Sequence, residues 1–388
     1  MTRLESHVSK GDEKRQLDMK DKIKLGIAGC GFAGTQTMYA PILRLLEKGR
    51  VTALMDPDPR ALDFMTRNYG DFDCYDDYGD FLAKADIDAV LVASPVFLHE
   101  EQVLQAAQAG KHILCEKPMA PTIEACDRMR QAAQAHDVKL MIGFVKRFDK
   151  SLQLAHDLVQ AGRLGALFHI RAEVSWCHDL SPLGFNWRQS LRALGGVFQD
   201  NASHIVDLCR WWAGEIQSVS GHARILRPDW EVETQAHAAL RHENGVVSTI
   251  HVSNVSQKPM TEYFLLEGTD AALELHFGPA MKYSSPEPFS VRLWERGQKQ
   301  TDLTLFNYGN LDQELRERGP YKRQIDHFCE SILENRAPWI DGLAGRKAIE
   351  VVNAVYLASW QDTTIKLPLS ASGDLERIFR EMRMQYGG

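Results

Sequence analysis

The chain has no apolar run long enough to cross a bilayer, no paired-cysteine motif and no excess of basic charge. Each absence narrows what it does. A membrane-spanning helix needs about 20 consecutive apolar residues, and no stretch approaches that length. The first twenty residues, Met1 to Lys20, are charged and lack the apolar core of a secretory leader. Residues 1–21 are therefore expected to form a flexible tail, ordered only by a partner subunit. The seven cysteines (Cys30, Cys74, Cys115, Cys126, Cys177, Cys209 and Cys329) are scattered, odd in number and never spaced as CxxC. That argues against a disulfide framework and against a cysteine zinc site, and a reducing cytoplasm is the simplest setting. The formal net charge of -7 disfavours nucleic acid and membrane surfaces as partners, because both are polyanionic.

What is present is ordinary for a soluble globular chain: 44% apolar and 25% charged residues over 388 positions, a length that suggests two domains. In the N-terminal part, short apolar runs alternate with helical stretches. The runs are Ile23 to Ala28, Val51 to Met55, Ala89 to Ala93, His112 to Cys115 and Lys139 to Phe144. Helical spacing covers Ala33 to Lys48, Pro59 to Tyr69, Tyr78 to Lys84, His99 to Ala109 and Thr122 to Asp137. Pro41 lies inside the first of these, so a kink, or a helix that ends before it, is expected. Alternation of this kind predicts a parallel sheet covered on both faces, with right-handed connections: a doubly wound α/β domain.

Gly29, Gly31 and Gly34 follow the first strand as Gly-Cys-Gly-Phe-Ala-Gly. The first glycine permits the tight turn, the second lets backbone amides approach a pyrophosphate, and the third lets the helix pack on the strand. The helix N-terminus adds partial positive charge. The residues within the loop that would meet the dinucleotide include Phe32 and Ala33. Asp56 ends the second strand, 22 positions after Gly34, where an acid accepts hydrogen bonds from ribose hydroxyls. A carboxylate there repels a 2′-phosphate, which favours NAD over NADP. Arg60, close by, weakens that preference. A nucleotide-free domain with a glycine turn is the bland alternative.

Several motifs then occur in one order: Asp86-Ile87-Asp88-Ala89-Val90-Leu91-Val92-Ala93-Ser94-Pro95 with His99 after it, Ala109-Gly110-Lys111 leading to Glu116-Lys117-Pro118, and Gly143-Phe144-Val145-Lys146-Arg147-Phe148. Together they resemble the Gfo/Idh/MocA family, over most of the chain from about Lys22. The resemblance implies an NAD(P)-dependent oxidoreductase acting on CH–OH groups of sugars, cyclitols and their derivatives. It places the family's lysine at Lys117. Chemistry supports that role independently, since a lysine at the carboxyl edge of a parallel strand faces the cofactor crevice and favours a developing alkoxide. Without the resemblance, a surface pair with Glu116 is the plainer reading. Ser94, Pro95, His99 and Glu116 fall among the expected cofactor contacts. The family's asparagine after the proline is replaced here by Val96, and Val145 and Lys146 depart from its usual polar pattern.

After Phe144 the pattern changes. A linking helix is expected at Ser151 to Gly162, and strands at Ala166 to Trp176, Ser218 to Leu226, Gln235 to Arg241, Val246 to Ser253, Glu262 to Glu267, Ala272 to Phe277 and Ser290 to Trp294. Helices return at Tyr321 to Asn335 and Leu343 to Ser359. Many strands with few helices between them predict a mostly antiparallel sheet. The fold expected is α/β: a Rossmann domain over 22–145, then an α+β substrate domain over 146–388 with a large open sheet. By the resemblance, that sheet builds a homodimer or homotetramer.

Asp200 and His204 lie four apart in Gly195-Gly196-Val197-Phe198-Gln199-Asp200-Asn201-Ala202-Ser203-His204. On a helix they share a face. A hydride leaves a carbinol carbon only as the hydroxyl proton is lost, and a near-neutral imidazole suits that base. The family's catalytic aspartate and histidine fall on these two residues, beside Lys117. Ala202 stands where the family has glycine. Asp207 is expected to cap or pair structurally. Asp200 and His204 could share a metal, with His178 and Glu173 as further candidates, but no complete ligand set is evident and none is expected. Trp187-Arg188 resembles the family's element near the cofactor or substrate. Arg147, Trp176, His178 and Asn186 complete the expected substrate pocket.

The reading that follows is hydride transfer between a secondary alcohol of a sugar, glycoside or cyclitol and NAD. Two rivals share the fold: a glycoside hydrolase that oxidises, eliminates and re-reduces with tightly held NAD, and a non-enzymatic nucleotide sensor. A sensor has no need for the Lys117, Asp200 and His204 trio.

Overall fold

The computed structural model describes residues 22–176, 186–257, 261–277, 289–305, 313–314 and 317–386. The first sheet contains β1 (Ile23–Ala28), β2 (Gly49–Met55), β3 (Asp73–Tyr75), β4 (Ala89–Val92), β5 (His112–Cys115) and β6 (Leu140–Ile142), in the order β3-β2-β1-β4-β5-β6. Every neighbouring pair is parallel. The order reverses between β1 and β4, and a crevice opens at the carboxyl ends of the strands at that point. β4 is buried along its whole length, which is why it reads as one unbroken apolar run. β3 was not expected. It is a three-residue edge strand, largely exposed, with no apolar run to announce it.

The helix expected over Ala33 to Lys48 is broken. A π-wound helix, α1 (Phe32–Tyr39), ends before Pro41, which instead sits in the 3₁₀ turn Ala40–Ile42. The proline has no N–H to continue the ladder, so the chain turns and reaches β2 at Gly49. The helices α2 (Pro59–Tyr69), α3 (Tyr78–Lys84), α4 (Val96–Gln108) and α5 (Ile123–Ala135) fall close to where their spacing predicts. Asp58, Asp77 and Thr122 cap α2, α3 and α5 by accepting from first-turn amides.

After α6 (Lys150–Gln160) comes a nine-stranded sheet: β7 (Leu167–Ser175), β8 (Ile216–Arg224), β9 (Gln235–His242), β10 (Val247–Ser253), β11 (Thr261–Gly268), β12 (Ala271–Phe277), β13 (Phe289–Glu295), β14 (Thr301–Asp302) and β15 (Ile365–Lys366). Its order is β14-β13-β12-β11-β7-β10-β9-β8-β15, antiparallel throughout except where β7 meets β10. One face packs under helices, including α7 (Ser203–Ala213) and Gly342–Gln361. The other is open and carries a hollow of about 550 Å³ lined by Arg171, Glu173, His222, His237, Thr249 and His251.

The late helices return to the first domain. Ile325 and Phe328 of Gly319–Leu333 line a small apolar gap with Leu25, Ile27, Val51, Leu91 and Leu114. Asp326 accepts from the amides of Glu47 and Lys48. Gly342–Gln361 packs on α5, α7 and β8 together, so one buried helix touches both sheets' cover layers. A final helix, Leu375–Tyr386, follows. Among the described residues no helix is long and apolar enough to cross a membrane.

Candidate active site

The crevice at the switch point is a cleft of about 740 Å³. Gly29, Gly31, Gly34, Asp56, Ser94, Pro95, His99, Glu116, Lys117, Trp187 and Arg188 all line it, with Phe32 and Tyr321. Gly29 has φ +97° and a Cβ there would lie 2.7 Å from the Ala93 carbonyl carbon, so only glycine makes this turn. A Cβ at Gly31 would meet nothing within 4 Å, which leaves that floor open to an incoming group. The Asp56 carboxylate accepts from the Cys30 amide (2.7 Å) and the Asp58 amide (2.8 Å), fixing it at the rim. A glycine floor, a helix N-terminus and a rim carboxylate fit an adenine dinucleotide. Ala33 lies within α1. Arg60 is exposed and points its guanidinium at Asp58, from 2.8 Å.

His99 is buried within the cleft wall. Its two ring nitrogens lie 2.9 Å from the carbonyl oxygens of Ser94 and Pro118. Burial pushes its pKa down, so the neutral ring donates to one carbonyl at a time. It ties the turn after β4 to the segment after β5. Ser94 donates to Gln102. Beside them Glu116 is enclosed: Tyr39 donates to its carboxylate, Gln324 donates to the Tyr39 hydroxyl (3.1 Å), and the Lys117 amide donates to its other oxygen (3.0 Å). Burial raises the Glu116 carboxyl. The plain surface pairing of Lys117 with Glu116 does not occur through the ammonium.

That ammonium turns instead across the domain junction. Lys117 Nζ donates to the Asp200 carbonyl oxygen (2.9 Å) and to Asp200 Oδ1 (3.0 Å). Arg188 Nε donates to Asp200 Oδ2 (3.3 Å). Burial alone would raise the Asp200 carboxyl, but the two flanking cations and their hydrogen bonds outweigh it and hold it at about 2. Asp200 lies in a π-wound turn, Phe198–Ala202, that runs into α7, and His204 follows in the first turn of α7. His204 is 8% exposed, with its ring 5.8 Å from that of Phe144. Such π turns concentrate at functional sites. Trp187 packs edge-on to Phe97 (6.1 Å), and the Arg188 guanidinium lies over the Trp187 ring (4.2 Å). This stack joins the start of α4 to the second domain.

Arg147, Trp176 and Asn186 are not among the residues that line the cleft. The Nε–Nη2 edge of the Arg147 guanidinium donates to both carboxylate oxygens of Asp207, 2.7 Å each, and the group lies 5.5 Å over Trp211. That edge is occupied inside the protein, and the pairing expected of Asp207 is with this residue. Trp176 directly follows β7, half-buried, its amide donating to the Ser253 carbonyl oxygen (2.9 Å). Asn186 opens the short turn Asn186–Arg188. His178 lies outside the described residues. Glu173, weighed as a metal ligand, faces the open side of the second sheet, 3.9 Å from His251.

One residue had no signal in the sequence pattern. Glu233, fully buried, accepts from the amides of Gly196 (2.7 Å) and Phe198 (2.8 Å) and from the Tyr356 hydroxyl (2.9 Å). Burial pushes its carboxyl up to about 7 against the pull of these donors. A Cβ on Gly196 would lie 2.1 Å from the Glu233 carbonyl oxygen, so glycine is a packing requirement at that position.

Residues 23–144 match the model of the Gfo/Idh/MocA oxidoreductase family, NAD-binding Rossmann fold, and 152–274 match that family's C-terminal domain. The chain is 25% identical over 351 residues to a myo-inositol 2-dehydrogenase of Thermotoga maritima, covering 89% of this chain and 98% of that one. It superposes with TM-score 0.78 and 26% identity on an aldose-aldose oxidoreductase of Caulobacter crescentus complexed with glycerol, over 89% of this chain and all of that one. The WlbA dehydrogenase of Bordetella pertussis, in complex with NADH and UDP-GlcNAcA, shares the fold with TM-score 0.79 at 24% identity, over 90% and 99% of the two chains.

Proposed function

This chain belongs to the Gfo/Idh/MocA family of NAD-binding oxidoreductases, and we propose that it transfers a hydride between NAD and a secondary alcohol of a sugar, glycoside or cyclitol. The observation that carries this is the Lys117–Asp200 pair, 3.0 Å apart, whose lysine lines the glycine-floored cleft. Both side chains keep partial exposure, 18% and 24%, so a small polyol can reach them. Bound NAD supplies the hydride acceptor. Gly29, Gly31, Gly34 and the start of α1 would hold its pyrophosphate, and Asp56 its adenosine ribose.

The roles of the chain's own groups divide by proton affinity. A carboxylate held at about 2 is a poor base at neutral pH, so Asp200 orients the substrate through its acceptor oxygens. Lys117 donates to the reacting hydroxyl oxygen and favours its alkoxide form. His204, one turn further along, takes the hydroxyl proton. The inositol dehydrogenase relative and the aldose-aldose oxidoreductase support a polyol substrate. In the test, reduction of NAD is followed at its absorbance band against inositols, sugars, anhydrosugars and glycosides. Alcohol-dependent reduction is expected with at least one class. Its absence across all four would defeat the proposal.

Cofactor choice has its own test. Asp56→Ser removes the charge that repels a 2′-phosphate and an acceptor for ribose hydroxyls. A hydrogen bond to a charged group contributes about 1.5–3 kcal/mol, so NAD binding is expected to weaken roughly tenfold or more. Binding of NADP should improve relative to NAD. Calorimetric titration with each cofactor decides it, and an unchanged ratio would place the discrimination elsewhere. The open face of the second sheet, with Val247 and Trp294 exposed on it, supports a homodimer or homotetramer. The six described cysteines are all free, which supports a reducing, cytoplasmic setting.

A further inference from the structure

We propose that Glu233 is the positioning residue of the Asp200/His204 helix, fixing its first turn from outside through consecutive backbone amides. This rests on the roles given to Asp200 and His204 above.

A helix begins with four amides that have no partner inside it. The usual remedy is a Ser, Thr, Asp or Asn at the N-cap. Here the residues entering the helix are Gly195 and Gly196, which have no side chain to offer. The structure answers with a remote acceptor. The Gly196 amide donates to Glu233 Oε2 (2.7 Å), the Val197 amide to the Glu233 carbonyl oxygen (3.2 Å), and the Phe198 amide to Glu233 Oε1 (2.8 Å). The next amide, of Gln199, donates to the Tyr356 hydroxyl (3.1 Å), which itself donates to Glu233 Oε1 (2.9 Å). Four successive amides are thus satisfied by one residue and its tyrosine. The carboxylate also lies at the positive end of the helix, where negative charge is favoured.

The anchor leads directly to the site. The Asp200 amide donates to the Gly196 carbonyl oxygen (3.1 Å), so a displaced Gly196 displaces Asp200. Asp200 in turn holds Lys117 through both its carbonyl and its carboxylate. Glu233 precedes β9, and Tyr356 belongs to Gly342–Gln361, the helix that packs on α5 of the first domain as well as on α7. The first turn is therefore clamped between the second sheet and a helix common to both domains. Glu233 and Tyr356 are fully buried and do not line the cleft. Their effect passes through Asp200 and His204.

The test uses the full chain and the variants Glu233→Gln and Tyr356→Phe. Glutamine keeps the shape but turns an NH₂ toward an amide N–H, so one acceptor is lost. A misplacement of about 1 Å costs on the order of 100-fold in rate. For Glu233→Gln, kcat is expected to fall by that order, with KM for the alcohol and the NAD dissociation constant unchanged. Tyr356→Phe should show a smaller loss of the same kind. The His204 imidazole proton signal, assigned by its absence in His204→Gln, should shift its titration midpoint in both variants. A folded Glu233→Gln protein with the kcat and the His204 titration of the parent would overturn the proposal, as would a change confined to NAD affinity. If Glu233→Gln does not fold, Tyr356→Phe carries the same two readouts and the same criteria. If the parent oxidises no alcohol, the functional reading fails, while the His204 titration still tests the positioning by itself.

Discussion

Replacing Lys117 by methionine is expected to lower kcat/KM for the alcohol by on the order of 10²–10³-fold, the loss typical when one preorganised donor to a developing oxyanion is removed. Methionine keeps much of the stem and removes the ammonium that reaches Asp200 at 2.9 and 3.0 Å. Steady-state NAD reduction measures the loss, and parental turnover in the variant would remove Lys117 from the mechanism. The same substitution has a second signature. Asp200 then keeps Arg188, at 3.3 Å, as its flanking cation among the described residues, and burial acts on it less opposed, so its carboxyl moves up from about 2. A carboxylate with a depressed folded pKa contributes stability that is present above its ordinary value of 3.8 and is lost as pH falls through the folded value. The parent should therefore lose this contribution progressively as pH falls from 3.8 to about 2, and Lys117→Met, whose contribution is smaller, should exhaust it at a higher pH. Acid unfolding followed by circular dichroism distinguishes the two, with the variant's transition displaced upward.

The site motifs were legible because each is local. The glycine loop, Glu116-Lys117-Pro118 and the Asp200/His204 spacing need only neighbours in the chain to be recognised. The first sheet was legible for a related reason: strands buried on both faces read as continuous apolar runs, as β4 does. What escaped depends on distant partners. Tyr39 and Glu116 meet across 77 positions, and Glu233 and Tyr356 across 123, with no periodicity to announce either. The parallel pairing of β7 with β10 inside an otherwise antiparallel sheet is equally non-local. The final helix is a different case. Leu375, Ile378, Phe379 and Met382 are buried at helical spacing, so its signal is in the sequence although it is not among the elements expected from it. Gly195 and Gly196 mark the boundary between the two kinds. Their presence was visible, but the reason for the second, a carbonyl oxygen of Glu233 that leaves no room for a Cβ on Gly196, required the fold.

Arg147 shows how a motif residue acquires its role from a contact 60 positions away. The Nε–Nη2 edge of its guanidinium meets Asp207, whose side chain is 1% exposed, while that of Arg147 is 11% exposed. Removing one member of such a pair leaves the other charged, buried and uncompensated, which costs about 3–5 kcal/mol. Arg147→Met is therefore expected to destabilise the protein by that amount, with a smaller added loss from the contact over Trp211. Asp207→Ala should cost a similar amount by stranding the guanidinium. The double replacement Arg147→Met/Asp207→Leu should recover much of the loss, because packed apolar groups of similar volume substitute well for a buried ion pair. Urea unfolding of the two single variants and the double gives the coupling directly. KM for the alcohol should stay at the parental value in folded Arg147→Met, since the guanidinium faces α7 and not the cleft. A raised KM with unchanged stability would return Arg147 to the substrate pocket, where its sequence motif first placed it.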